Sequence, residues 1–121
     1  MPVKKERDRM SRDEILRLVE MFEGEVNNGG FHQFFYNSAG NETAEIIRAL
    51  EIIGAVKVAE IVKKAASKFP GGMPPRDRTD RQDLLLDRVD PAIKVFDELD
   101  RAFYSYPDGL LQGLLEKYMD W

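Results

Sequence analysis

Apolar positions recur every three or four residues along most of the chain, which is the period of a helix and not of a strand. Ile15, Leu18, Val19, Phe22 and Val26 form a first apolar stripe. Ser11, with Glu14 three residues on, is a capping-box start for it, each side chain able to satisfy a free N–H of the first turn. Asn27-Asn28-Gly29-Gly30 is expected to end this helix, because Asn and Gly tolerate the left-handed conformation of a helix stop. A short aromatic helix is predicted over 31–37, with Phe31, Phe34 and Phe35 on one side. Gly40 breaks it. Asn41 is the expected N-cap of a third helix, whose buried stripe is Ala44, Ile47, Leu50 and Ile53.

After a stop at Gly54, a helix over 55–68 places Val58, Ala59, Val62 and Ala66 inward, with Phe69 beyond them. Residues 69–75 (Phe-Pro-Gly-Gly-Met-Pro-Pro) cannot continue a helix, since proline lacks the N–H and clashes with the preceding turn. A helix over 79–89 carries Leu84, Leu85 and Leu86. Asp90-Pro91 is an N-cap and first-turn proline for a helix holding Ile93, Phe96, Leu99 and Phe103. Pro107-Asp108 restarts the chain before a last amphipathic helix with Leu110, Leu111, Leu114, Leu115 and Tyr118. The reading is all-α: a single compact domain of about six or seven helices over 11–121, preceded by a basic, flexible arm, 1–10.

Composition narrows this further. The chain has 121 residues, enough for one domain with one modest core. At 43% hydrophobic and 33% charged it is neither disordered nor membrane-like. No apolar run approaches the ~20 residues a bilayer requires. The start, Met1-Pro2-Val3-Lys4-Lys5, has no apolar leader, so a cytoplasmic location is expected. There is no cysteine, which removes disulfides, thiolate ligands and a cysteine nucleophile together.

Charge is uneven. Lys4, Lys5, Arg7, Arg9 and Arg12 outweigh Glu6 and Asp8 at the start, whereas the whole chain carries −4. Acids dominate 13–25 (Asp13, Glu14, Glu20, Glu23 and Glu25 against Arg17) and again 90–121. Lys57, Lys63, Lys64 and Lys68 interrupt them. Such a body repels a nucleic-acid backbone and attracts basic partners; the plainer reading is a solvated acidic surface.

No constellation points to catalysis. His32 is the single histidine, and nothing in the sequence brings it to Ser38 with an orienting acid, as a triad requires. A zinc site needs three or four ligands. The Glu-x-x-His pair of helical carboxylate metal sites is missing, and Asp97-Glu98-Leu99-Asp100 reads as a solvated helix face. Gly29-Gly30 lacks the strand and the Gly-Lys-Ser/Thr ending of a phosphate loop. Phe31, Phe34, Phe35 and Tyr36 could stack on bases, but single-strand binders set such platforms in a positive groove. Here the flanks are Glu23, Glu25, Glu42 and Glu45, so core packing is the better account. No catalytic, cofactor-binding or metal residue is assigned.

The run Glu25-Val26-Asn27-Asn28-Gly29-Gly30-Phe31-His32-Gln33-Phe34-Phe35-Tyr36-Asn37-Ser38-Ala39-Gly40 resembles the signature of an all-helical bacterial DNA-mimic family. Ala49-Leu50-Glu51-Ile52-Ile53-Gly54-Ala55 fits the same family, as do Phe69-Pro70 with Arg76-Asp77, and Phe96-Asp97-Glu98-Leu99-Asp100 with Phe103-Tyr104. The resemblance implies a helical fold without enzymatic activity. It also implies an acidic surface that imitates the DNA backbone and occupies the DNA-binding face of a transcription factor or other DNA-binding protein, with no direct contact to nucleic acid.

Duplex DNA presents one negative charge per ~1.7 Å of axis. Helix carboxylates three or four residues apart sit ~5–6 Å from one another, close to phosphate spacing along a strand. Candidate positions, chosen because they are acidic and lie off the apolar stripes, are Asp13, Glu20, Glu23, Glu42, Glu45, Asp97, Asp100 and Asp108. They are not carried over from the signature, whose residues are mainly apolar, Gly and Asn. The alternative is a toxin-neutralising or adaptor protein on the same fold, and either would act as a monomer or a homodimer.

Overall fold

The computed structural model describes residues 10–120. Among them the chain forms six α-helices and no strand, as the apolar period predicts. The basic arm falls on residues 1–9, outside the described part, except for Met10, which packs against the core. Ser11 starts α1 (Arg12–Tyr36): its hydroxyl accepts the Glu14 N–H at 3.1 Å. Asp13 and Glu14 in the first turn suit the positive end of the helix dipole. Ile15, Leu18, Val19, Phe22 and Val26 are all buried.

The expected stop at residues 27–30 is a kink. Gly29 (φ −158°, ψ 19°) and Gly30 (φ 72°, ψ −170°) leave helical geometry, and the helix resumes at once. The two predicted helices are therefore two limbs of α1, joined without a loop. Gly30 is constrained twice: its positive φ disfavours any L side chain, and a Cβ there would come within 2.5 Å of the Asp100 carboxylate.

A 3₁₀ turn (Ser38–Glu42) leads into α2 (Thr43–Ile52). Asn41 does not cap α2. Glu42 holds that position without a side-chain bond, and the Thr43 hydroxyl instead donates to the Gly40 carbonyl at 2.8 Å. Ala44 is exposed; Ile46 and Ala49 join Ile47, Leu50 and Ile53 inside. The next helix, α3 (Val56–Ala66), buries Val58, Ala59, Val62 and Ala66 as expected, and Phe69 seats beyond it.

The second half departs further from the sequence reading. α4 (Arg78–Leu84) runs into a π turn (Leu85–Val89). Of the leucine triplet only Leu85 is buried, and Leu86 is 44% exposed. Asp90-Pro91 does not open a helix. The chain makes an irregular loop, 90–96, and α5 (Asp97–Tyr104) starts with Phe96 as its N-cap. Ile93, expected inside, is 64% exposed at φ 54°. Asp90 still caps, but it caps this loop: its Oδ1 accepts the N–H groups of Lys94 and Val95 at 2.7 and 2.8 Å. In α6 (Leu111–Met119), Leu111, Leu115 and Met119 face inward, while Leu110 and Tyr118 are exposed.

All seven phenylalanines are buried. Their rings form one connected cluster, with Phe22 edge-on to Phe34 and to Phe103 at 5.4 Å, and Phe35 against Phe69 at 5.0 Å and Phe96 at 5.4 Å. Edge-on and tilted pairs suit the ring quadrupole. The aromatic limb of α1 is the hub on which Phe69 beyond α3, α5 and the loop before α5 converge.

Arg81 is the largest fully buried side chain among the described residues. Its guanidinium donates to the carbonyls of Phe35 (2.7 Å), Asn37 (2.8 Å), Pro75 (3.0 Å) and Arg76 (3.0 Å). Burial, then the like charge of Arg78, pulls it below its ordinary pKa, yet an arginine stays protonated at neutral pH. Gly40 makes room for it, since a Cβ there would lie 2.7 Å from Arg81 Nε. Replacing Arg81 by leucine strands four carbonyls in the interior. Hydrogen bonds to charged groups contribute ~1.5–3 kcal/mol, so Arg81→Leu is expected to lower the unfolding free energy by about 3 kcal/mol or more in urea titrations. An unchanged midpoint would mean that water replaces the guanidinium.

Candidate protein-binding surface

The eight acids chosen from sequence divide into two groups. Asp13, Glu20 and Asp97 are exposed and make no side-chain hydrogen bond or ion pair among the described residues. The other five are engaged within the chain. Glu42 accepts from the two terminal nitrogens of the Arg17 guanidinium at 2.8 and 3.1 Å, which holds its carboxyl below the ordinary value. Burial pushes the Glu45 carboxyl up, but the Arg76 guanidinium paired with it brings the net shift down. Glu23 accepts the Tyr106 hydroxyl at 2.9 Å. Asp108 accepts the N–H groups of Lys57 and Val58 at 3.1 and 2.7 Å, so it caps the start of α3 from fifty residues away in sequence.

Asp100 is half-buried behind the kink and accepts the Phe31 N–H at 2.9 Å. It thereby takes up a donor at the start of the aromatic limb. Burial raises its pKa, the Phe31 N–H acts against that, and Asp97 and Asp90 add to the rise.

Two rows of carboxylate without a partner among the described residues remain. Asp13 and Glu20 lie seven residues apart on one face of α1, with Arg17 and its partner Glu42 between them. Asp80, Asp83 and Asp87 are also exposed, and their spacing of three and four sets them along one side of α4 and its π turn. That row was legible in the sequence as an i, i+3, i+7 pattern. The leucines beside it, Leu84, Leu85 and Leu86, carry the stronger local signal.

The family-like run, by contrast, is occupied with structure. Glu25 Oε1 accepts the side-chain amides of Gln33 and Asn37, each at 2.9 Å, tying one limb of α1 to the other across the kink. Asn27 donates to the Tyr106 hydroxyl at 3.3 Å, and the Tyr104 hydroxyl donates to the Val26 carbonyl at 2.6 Å. His32 Nδ1 lies 2.8 Å from Asp90 Oδ2, and Asp90 is 2% exposed. His32 therefore anchors the 90–96 loop. With Gly29-Gly30 at the bend and Gly40 against Arg81, nearly every polar or glycine position in the run has a mechanical task.

The family model for DMP19-like proteins matches residues 9–120. The chain belongs to the DMP19-like protein family. No curated protein and no solved structure matches it. The matched span takes in both limbs of α1, the buried Arg81 and the Asp100 and Asp108 caps, so the family is defined over the whole described fold. Among the described residues no group of three or more His, Cys, Asp or Glu side chains is placed to hold a metal ion. No helix there is long and apolar enough to cross a membrane.

Asp100 yields a pH prediction. Its folded pKa lies above the ordinary 3.8, so its contribution to stability is complete below that value and is lost as pH rises through the folded pKa. At neutral pH the charged carboxylate is a burden. Asp100→Asn keeps an acceptor for Phe31 N–H and removes the charge. Its melting temperature is expected to exceed that of the wild type at pH 7, with the gap narrowing towards pH ~4 in thermal melts. A gap that widens on acidification would reverse the assignment.

Proposed function

We propose that this protein is a non-enzymatic protein-binding protein of the cytoplasm and a DNA mimic, whose free carboxylates occupy the DNA-binding face of a transcription factor or another DNA-binding protein. Membership of the DMP19-like family over residues 9–120 carries the reading. The exposed rows on α1 and α4 support it. A basic reader of DNA gains most of its affinity from phosphates, and carboxylates at helical spacing offer charge at similar intervals without base edges. Asp13, Glu20 and Asp97, extended by Asp80, Asp83 and Asp87, are the residues that would face the partner. Glu42 and Glu45 would contribute less, because Arg17 and Arg76 already neutralise them. Glu23, Asp100 and Asp108 would act indirectly, by holding the helices that carry the free acids.

The test is capture of partners from a lysate of the source cells on the immobilised protein. A DNA-binding protein should be retained and then released by duplex DNA and by ~0.5 M salt, where the screening length is only a few ångströms. Reversal of three charges (Asp80→Lys, Asp83→Lys, Asp87→Lys) should weaken capture by about tenfold or more. A partner that resists both salt and DNA would replace mimicry with the toxin-neutralising or adaptor reading. Retention of nothing would remove both.

A further inference from the structure

Two adjoining hollows share Val95 as a wall. One, of about 410 Å³, is lined by Val89, Asp90, Pro91, Ala92, Lys94 and Val95 and is almost wholly apolar. The other, of about 290 Å³, is lined by Lys64, Ser67, Lys68, Val95, Glu98 and Leu99. Together they form a groove between the 90–96 loop, the end of α3 and the start of α5.

This groove differs from ordinary surface in three ways. Its loop wall is fixed, because buried Asp90 holds the N–H groups of Lys94 and Val95 and is itself held by His32. The same loop forces Ile93 to φ 54° with 64% of its surface exposed. A β-branched residue in that region is a genuine outlier; Ile93 stands between the lining residues Ala92 and Lys94 without joining the lining, and it fills no core. Strain of this kind persists where the surroundings over-determine it and clusters at sites that work. The third difference is charge. Lys64, Lys68 and Lys94 have no carboxylate within ion-pair distance among the described residues, whereas neighbouring Lys63 is paired with Glu51 and Glu60. Glu98 is the one opposing charge on the lining, since the Asp90 carboxylate is engaged. An apolar hollow with Lys94 on its lining, adjoined by a more polar one lined by Lys64 and Lys68, thus stands on a chain whose net charge is −4.

We propose that this groove docks an acidic peptide segment of another protein. One aliphatic or aromatic side chain enters the apolar hollow, and flanking carboxylates meet Lys64, Lys68 and Lys94. A concave hollow suits an inserted side chain, whereas an anionic membrane would be met by a convex apolar tip. The proposal does not depend on DNA mimicry, which concerns other side chains of opposite charge.

The test uses the full chain, labelled with ¹⁵N and titrated with synthetic octapeptides. One is acidic with a central Leu-Phe pair, the second has every carboxylate replaced by its amide, and the third is acidic with Ser-Ser at the centre. Phosphatidylserine vesicles and duplex DNA are the comparison ligands. The first peptide alone should shift the amides of residues 64–68 and 89–99. Lys64→Glu with Lys68→Glu should weaken it about tenfold, a difference equivalent to ~1.4 kcal/mol, with an unchanged circular dichroism spectrum. Ile93→Asn, which tolerates the left-handed conformation, should raise the melting temperature while weakening the same peptide. That opposite movement of stability and binding is not expected of a loop that merely closes the fold. Equal binding of all three peptides would overturn the proposal, as would no shift with any of them, tighter binding to vesicles or DNA, or variants that bind like the wild type.

Discussion

The aromatic limb of α1 is held at both ends by buried or half-buried charge, and the rest of the molecule is arranged around it. Asp100 accepts the Phe31 N–H at its start, and Arg81 takes the Phe35 and Asn37 carbonyls at its finish. A short helix is marginal alone; an acceptor for its first free N–H and a cation on its last carbonyls satisfy groups the limb cannot pair within itself, and the Arg81 charge also suits its dipole. Because these side chains come from α5 and α4, closing the limb also docks those helices. The phenylalanine cluster then fills the space that the two contacts define.

The same device recurs. Asp108 caps α3 from the turn before α6, and Asp90 caps the loop before α5. Acidic residues in this protein are thus repeatedly used as long-range acceptors for backbone N–H groups. A charged acceptor makes a stronger hydrogen bond than a neutral one, which suits a small domain with a modest core. One consequence is that much of the formal acidity is not available to a partner. What remains outside is arranged along helix faces, where spacing is regular and the charges cannot neutralise one another.

The surface therefore carries two kinds of chemistry. The free carboxylates of α1, α4 and α5 suit a basic partner recognised mainly by charge. The groove about Val95 is apolar on its loop side and carries Lys64 and Lys68 on the other, and suits an acidic partner anchored by one apolar side chain. The groove and Asp97 depend on the joint at Gly29-Gly30, which sets where α5 and the 90–96 loop stand relative to α1 through Asp100 and His32.

Helix period, the Ser11 cap, the glycine punctuation at 29–30 and the inward faces of α1 and α3 are local properties, and the sequence by itself determined them. They follow from spacing and from backbone preferences that act within a few residues. Part of the family-like run was also legible, because Gly29, Gly30, Glu25, Gln33 and Asn37 serve a single local bend. What only the tertiary structure decided is the use of each charge. Asp100 and Asp97 sit three residues apart in one helix and look alike in sequence, yet one is turned in to a distant N–H and the other is free. Arg81 reads as a surface residue until four carbonyls from two segments converge on it. Asp90-Pro91 reads as a helix start, but the pull of His32 and the Lys94 and Val95 N–H groups makes a strained loop instead. A charged side chain is stable wherever its hydrogen bonds are complete, and whether they are completed by water or by a remote backbone is settled only when the chain has closed.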